Sequence, residues 1–286
     1  MFHAGKIIRR FRSSPTVMML DIDVPSLTSF RPGQWVDFVA KPNEWVGGFS
    51  VASSPRDLPI ITLAVKNSKD LPATWVHDDN RSSVGLPVEI RVGGDCVLDE
   101  KLPLRPSVFC AGGIGVSPIL SQYREFLFLR DKTNPLSAAP PDSNSSPDAN
   151  TGIETAATMF LYTASSATDL VFGSELAELS RQGSEQGHDR MVFALTKQNS
   201  KSTIDVTSST VPGAAENREV LELDRENIPS HIECRSGRVL TEFLNEAPQD
   251  ANYYICGPPS MIDDAVHHLT RVRAIPLKRI KYERWW

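Results

Sequence analysis

The chain has 286 residues, 40% apolar and 23% charged, which suits two modest globular domains and excludes a disordered or fibrous polymer. Thirty Lys and Arg against 35 Asp and Glu leave a net charge of −5, so a global electrostatic footprint for nucleic acid is missing. No apolar run approaches the roughly 18–20 residues that span a bilayer, and Cys96, Cys110, Cys234 and Cys256 are too scattered for a zinc or iron–sulfur ligand set.

These features lead us to expect a soluble cytoplasmic protein. Lys6, Arg9, Arg10 and Arg12, with no acid before Asp21, bear a faint likeness to a mitochondrial presequence, which keeps that compartment open. The periodicity favours a strand instead. Residues 17–24 alternate Met18, Leu20, Ile22 and Val24 against Met19, Asp21 and Asp23, the pattern of a half-buried strand. The Ser13-Ser14-Pro15 turn joins it to a strand over Ile7 and Ile8. Further strands are expected at 35–39, after Arg31-Pro32-Gly33, and at 49–52, 60–66 and 88–92, the last before Gly93-Gly94. One helical segment falls near 73–78. Short strands punctuated by Pro and Gly predict a small antiparallel β-barrel over residues 1–104.

After Arg105-Pro106 the pattern changes. An apolar strand at 107–111 ends in Gly112-Gly113, and a helix pattern follows on Ile119, Leu120, Tyr123, Phe126 and Leu127. Strands at 159–162, 191–195, 253–256 and 279–282 alternate with helices at 174–180, 238–245 and 259–270. Such alternation predicts βαβ units and a doubly wound parallel-sheet α/β domain over 105–286. Two stretches, 131–154 and 198–218, are rich in polar and small residues. They bury too little apolar area to offset their ordering entropy and are expected to be surface insertions.

Two glycine turns carry the chemistry. Gly112-Gly113-Ile114-Gly115-Val116-Ser117-Pro118 lies where an apolar strand meets a helix. Glycines let the backbone bend sharply near a diphosphate, whose charge the free N–H groups and the helix dipole favour. Pro118 fits the first helical position. Alone, such a turn serves equally well as a tight connection without a ligand. Cys256-Gly257-Pro258-Pro259-Ser260-Met261 forms a second turn between a strand and a helix. The carboxyl ends of neighbouring strands in an open parallel sheet line one crevice, so both turns face it if their strands are neighbours. A free cysteine such as Cys256 is also commonly a small buried residue and nothing more.

These two segments, in this order and after a barrel, resemble the nicotinamide-nucleotide motifs of the ferredoxin–NADP reductase superfamily. Gly33-Gln34-Trp35 is similar to part of that family's Pro-Gly-Gln turn. Residues 47–55, GGFSVASSP, are similar to its flavin motif, Arg-x-Tyr-Ser followed by Ser-Ser-Pro, and Glu283-Arg284-Trp285-Trp286 to its acidic-then-aromatic tail. The resemblance covers nearly the whole chain apart from the two insertions. It implies an oxidoreductase that passes hydride from NAD(P)H to a bound flavin, FAD, and on to a separate electron acceptor. Neither a fused haem segment nor a ferredoxin-like cysteine run is visible.

The resemblance also implies roles for particular residues. Gly112, Gly113, Ile114, Gly115, Val116, Ser117 and Pro118 would hold the pyrophosphate and ribose side of the dinucleotide. Cys256, Gly257 and Pro258 would border its nicotinamide. Ser50 would hydrogen-bond near flavin N5, Phe49 would stack on the ring with Val51 beside it, and Trp285 or Trp286 would cover the other face. Ser50 and Cys256 would then stand nearest the hydride path.

The departures from the family pattern are specific. The flavin-motif arginine falls on Gly47 and its tyrosine on Phe49, while a phosphate segment usually written Gly-x-x-Ser or Thr falls on residues 70–74, DLPAT. One charge-assisted hydrogen bond is worth about 1.5–3 kcal/mol, so losing the arginine weakens FAD binding by roughly one to two orders of magnitude. Lys66 and Thr74 are the candidate substitutes. The alternative function is a flavin-free NAD(P)H-binding sensor or scaffold without turnover. Residues 162–169 contain no arginine to pair with a 2′-phosphate, so NADH is expected over NADPH. Asp169 either accepts from ribose hydroxyls or caps the next helix, and Lys197 is the nearby cation that NADP would require. His77, His231, His267 and His268 lack ligand spacing, and Trp35, Trp45 and Trp75 are read as barrel packing.

Overall fold

The structure, a computed structural model, describes residues 1–40, 45–101, 104–133, 156–185, 187–197 and 229–284. The two expected insertions lie outside these residues except at 131–133, and so do Trp285 and Trp286. Six strands form the first sheet: β1 (His3–Ser14), β2 (Val17–Asp23), β3 (Trp35–Ala40), β4 (Trp45–Ser50), β5 (Ile60–Lys66) and β6 (Pro87–Gly93). They pair antiparallel in the order β4-β3-β6-β1-β2-β5. The strand expected at 49–52 ends at Ser50 because the chain there leaves β3 and turns towards β5. Val51 bridges Leu63, and the Ala52 amide donates to the Thr62 carbonyl at 2.9 Å, which closes the barrel. Ile7, Leu20, Ile22, Phe38 and Ile90 fill its core, and α1 (Leu71–His77) adds Trp75 and Val76 to it.

Six parallel strands form the second sheet: β7 (Ser107–Gly112), β8 (Thr158–Ala164), β9 (Asp189–Leu195), β10 (Ile232–Ser236), β11 (Asn252–Gly257) and β12 (Ile280–Arg284), in the order β10-β9-β8-β7-β11-β12. Alternate residues of these strands feed two cores. One lies under α2 (Val116–Thr133) and α3 (Gly173–Glu185), the other under α4 (Leu240–Glu246) and α5 (Pro259–His267). The architecture is an antiparallel barrel followed by a doubly wound parallel sheet. The strand order reverses between β7 and β11, the place where open α/β sheets hold their ligands.

Three details differ from the sequence expectation. β10 is a polar edge strand with Ile232 as its one buried residue, so its periodicity is faint. Pro118 is the third residue of α2, entered through a 3-10 turn at Gly113–Gly115, and its missing N–H is still one of the first-turn donors without an intrahelical partner. The last helix ends at His267 and continues as a π-helical turn, His268–Val272.

Helix α2 joins the two halves. Ser121 Oγ donates to the Ser53 carbonyl at 2.7 Å, Gln122 Nε2 to the Cys96 carbonyl at 2.6 Å and Arg124 Nη1 to the Ala52 carbonyl at 3.3 Å. From the barrel, Ser54 Oγ and Arg56 Nε donate to Glu125 Oε2 at 3.1 and 3.0 Å. At the far end of α2, Arg130 grips the buried Asp189 through both carboxylate oxygens, 2.5 and 3.1 Å, and Thr158 Oγ1 donates to the same group at 2.6 Å. Burial works against the Arg130 charge, but the Asp189 carboxylate outweighs it and holds the guanidinium pKa above its usual value. Asp189→Asn keeps the volume but removes that cation's buried counter-charge, leaving the exposed Asp131 carboxylate 3.8 Å from Arg130 Nε. We expect a loss of about 3–5 kcal/mol in the free energy of urea unfolding.

Candidate functional site

β7 and β11 pair in register from Ser107 opposite Asn252 to Ala111 opposite Cys256, so the two glycine turns meet as they leave the sheet. The contact is backbone on backbone at Gly115, while at Gly112 the Met261 and Pro258 side chains close in. A methyl group on Gly115 would lie 2.5 Å from the Cys256 carbonyl oxygen, and one on Gly112 would lie 2.8 Å from Pro258 Cδ. One on Gly257 would lie 3.0 Å from Gly112 Cα. These three glycines are therefore required by the close packing of the two turns, whether or not a ligand is present. Gly113 is different: its φ is +54°, and a methyl group there would meet nothing within 4 Å. It combines a left-handed backbone with an open flank.

The barrel stands against this turn. A cleft of ≈ 830 Å³ is lined on one side by β4 from Trp45 to Ser50, by Ala64 and Lys66, and by Asn67, Ser68, Asp70 and the start of α1. Ile114 and Ser117 of the α/β domain complete it. Its volume falls within the usual range for small-molecule sites, about 300–1,000 Å³. Ser117 Oγ is buried without a hydrogen-bond partner, an orphaned polar atom of the kind a ligand group satisfies. Phe49 is half-buried, and its ring meets Phe38 edge-on at 5.7 Å. Next to it, a methyl group on Gly47 would lie 2.6 Å from Pro72 Cβ and 3.0 Å from the Phe49 ring. The space that a side chain at the family's arginine position would need is filled.

The structure brings Phe49, Ser50, Ile114 and Ser117 to one cleft, with Gly113 and the exposed Pro258 at the adjoining turn. It places other candidates elsewhere. Val51 is fully buried in the barrel core, and Val116 lies with Pro118 beneath the surface of the α/β domain. Cys256 has no exposed surface and packs with Ala111 and Val116 in the core under α2, so its sulfur does not border the cleft. Thr74 does not line the cleft either; its hydroxyl turns back to donate to the Ser68 carbonyl at 3.3 Å. Asp169 accepts from Ser166 Oγ at 2.8 Å inside its own 3-10 turn and does not cap α3, which begins four residues later. Lys197 is exposed just beyond β9, with its amide donating to the Ser165 carbonyl at 3.2 Å. Trp45 packs on the barrel core and also faces the cleft, a position set by barrel closure that its sequence context does not reveal.

The remaining reactive groups have structural partners. Burial pushes the Cys96 thiol up to about 12 and Cys110 higher still, so neither is a thiolate at neutral pH. The Nε2 atoms of His77, His231 and His268 lie 2.8–2.9 Å from the Val65 carbonyl, the Ala177 carbonyl and Asn245 Oδ1, respectively. Among the described residues no group of His, Cys, Asp and Glu is arranged to hold a metal ion, and no helix is long and apolar enough to cross a membrane.

A barrel whose open cleft is completed by the switch-point turn of a following α/β domain is the ferredoxin–NADP reductase-like fold. The cytochrome P450 reductase of Amycolatopsis shares the fold, with a TM-score of 0.71 at 18% identity, covering 99% of this chain and 69% of that one. So does a ferredoxin–NADP⁺ reductase from Neisseria gonorrhoeae, solved with FAD and NADP bound, with a TM-score of 0.61 at 17% identity over 100% and 99% of the two chains. No protein-family model matches the sequence. Oxidoreductase NAD-binding domain-containing protein 1 of Bos taurus is 30% identical over 290 residues, spanning 99% of this chain and 80% of that protein. The chain belongs to this family of oxidoreductases.

The two kinds of glycine at the turn should respond differently to substitution. Gly115→Ala forces a methyl group against the Cys256 carbonyl and should destabilise the fold by about 2–3 kcal/mol. Gly113→Ala meets no steric obstacle and should lose only about 1 kcal/mol for its left-handed backbone. Urea titration of the two variants measures both.

Proposed function

We propose that this chain is an NADH-dependent flavin oxidoreductase, with nicotinamide entering at the β7–β11 turns and a flavin lodged against β4. The observation that carries this reading is the shared cleft: Ile114 and Ser117, from the nicotinamide-side turn, line the same space as Phe49 and Ser50 of the barrel. The residues fit a flavin ring. Phe49 and Trp45 offer flat apolar faces, Ser50 offers a hydroxyl, and the orphaned Ser117 Oγ awaits a polar partner. When bound, the flavin supplies the two-electron acceptor, and the protein supplies orientation and electrostatics.

Each part of the chain then has a task. The backbone at Gly113 leaves room for the dinucleotide's diphosphate beside the N-terminal end of α2, where the helix dipole favours negative charge. Ser50 would hold the edge of a bound ring through its hydroxyl. Residues 162–169, at and after the end of β8, carry no arginine to pair with a 2′-phosphate, which supports NADH over NADPH. The electrons leave the site on an acceptor that is not part of the chain. The names of the structural neighbours, a cytochrome P450 reductase and a ferredoxin–NADP⁺ reductase carrying FAD and NADP, support a redox role of this kind.

The second reading is a nucleotide-binding module without turnover, and the filled space beside Gly47 favours it. Anaerobic mixing of flavin-supplemented protein with NADH distinguishes the two. We expect the visible absorbance of oxidised flavin to bleach, faster with NADH than with NADPH. In Ser50→Ala, loss of one hydrogen bond of about 1 kcal/mol should slow the bleaching roughly fivefold. No bleaching with either nucleotide would establish the inert module.

A further inference from the structure

The two sides of the cleft treat a flavin differently. The ring side is built for contact: Trp45, Phe49 and Ile114 present apolar surface, Ser50 adds a polar side chain, and Ser117 lies beneath with its hydroxyl buried and unpartnered. Among the described lining residues, the side where a phosphate tail would run carries no net side-chain charge. Among them its charged groups are Lys66 and Asp70, whose charges cancel, whereas a phosphate carries about −1.5 to −2 at neutral pH. At Gly47 no cation can be accommodated, because Pro72 occupies the space a side chain would need.

The hydroxyl on that side, Ser68 Oγ, and that of Thr74 behind it already have partners. Ser68 Oγ donates to Asp70 Oδ2 at 2.9 Å and accepts from the Asp70 amide at 3.2 Å, while Thr74 Oγ1 donates to the Ser68 carbonyl. A phosphate placed here would meet a carboxylate and hydroxyls already in use.

We infer that the flavin is a dissociable substrate of this chain, recognised through its ring and bound with indifference to its phosphate tail. The inference rests on the flavin reading above and adds the identity of the acceptor, which is free flavin itself. The step balances: the nicotinamide C4–H bond breaks, its hydride forms the flavin N5–H bond, and a solvent proton goes to N1. NADH is oxidised to NAD⁺ and the flavin is reduced to dihydroflavin, which leaves the cleft.

Riboflavin, FMN and FAD test this through their binding to the purified full chain, read by quenching of flavin fluorescence. We expect the three Kd values to agree within about threefold. A charged anchor for the tail would separate riboflavin from the other two by roughly ten- to a hundredfold. We also expect the protein to lose its flavin on a desalting column, and one equivalent of protein to bleach many equivalents of free FMN with excess NADH under anaerobic conditions. FAD binding tenfold or more tighter than riboflavin, with FAD retained on the column, would overturn the inference while leaving the oxidoreductase reading intact. Failure of all three flavins to bind or bleach would overturn both.

Discussion

Gly115 has no room for a methyl group because the carbonyl of Cys256 lies where that group would go. This backbone contact, with Gly112 against Pro258 and Gly257 against Gly112, brings the exits of β7 and β11 together at the point where the sheet reverses its strand order. Larger residues would push the turns apart and widen the crevice. Three glycines are thus needed to make the crevice, and Gly113, with its open flank and left-handed backbone, is the one whose surroundings leave space for something else. The division explains why a glycine-rich turn is weak evidence for a ligand until the neighbours of each glycine are known.

The other half of the site depends on α2. Its first turn carries Ser117 to the cleft, its second and third turns grip the barrel through Ser121, Gln122, Arg124 and Glu125, and its last turns are locked to β9 by Arg130 and Asp189. Gly33, at φ +99°, has no space for a side chain because the Cys96 carbonyl and the Gln122 amide meet there. An apolar patch of Val17, Met19 and Ala64 from the barrel against Val171, with Ile114 and Phe172 packed on it, supports the same junction. The relative position of barrel and sheet is therefore fixed by hydrogen bonds and packing on two sides of the cleft, and Ile114 belongs to both the junction and the cleft wall.

Much of this was legible in the residues. The alternation in β2 and the apolar runs of β7 and β11 define their strands, and the change of pattern after Pro106 separates two sheets of different kinds. β10 escaped because an edge strand with one buried residue leaves almost no periodic trace. Cys256 was assigned to the cleft by its motif, although alternation argues otherwise: both faces of a parallel sheet are covered, so Cys256 shares the α2-side core with Tyr254. Thr74 has the right chemistry for a phosphate, but its hydroxyl finds the nearer Ser68 carbonyl, a local competition that spacing alone does not reveal. The absence of the flavin-motif arginine was plain from Gly47, whereas the reason nothing replaces it, Pro72 packed against that backbone, required the fold.

The central claim is that segments far apart in the chain act as one site. Amide hydrogen exchange, followed by mass spectrometry with and without FMN and NAD⁺, tests it directly. The account predicts that addition of both ligands slows exchange together in peptides covering residues 45–50, 112–118 and 257–261. Protection confined to the barrel peptide or to the two α/β peptides, with the other side unchanged, would contradict it.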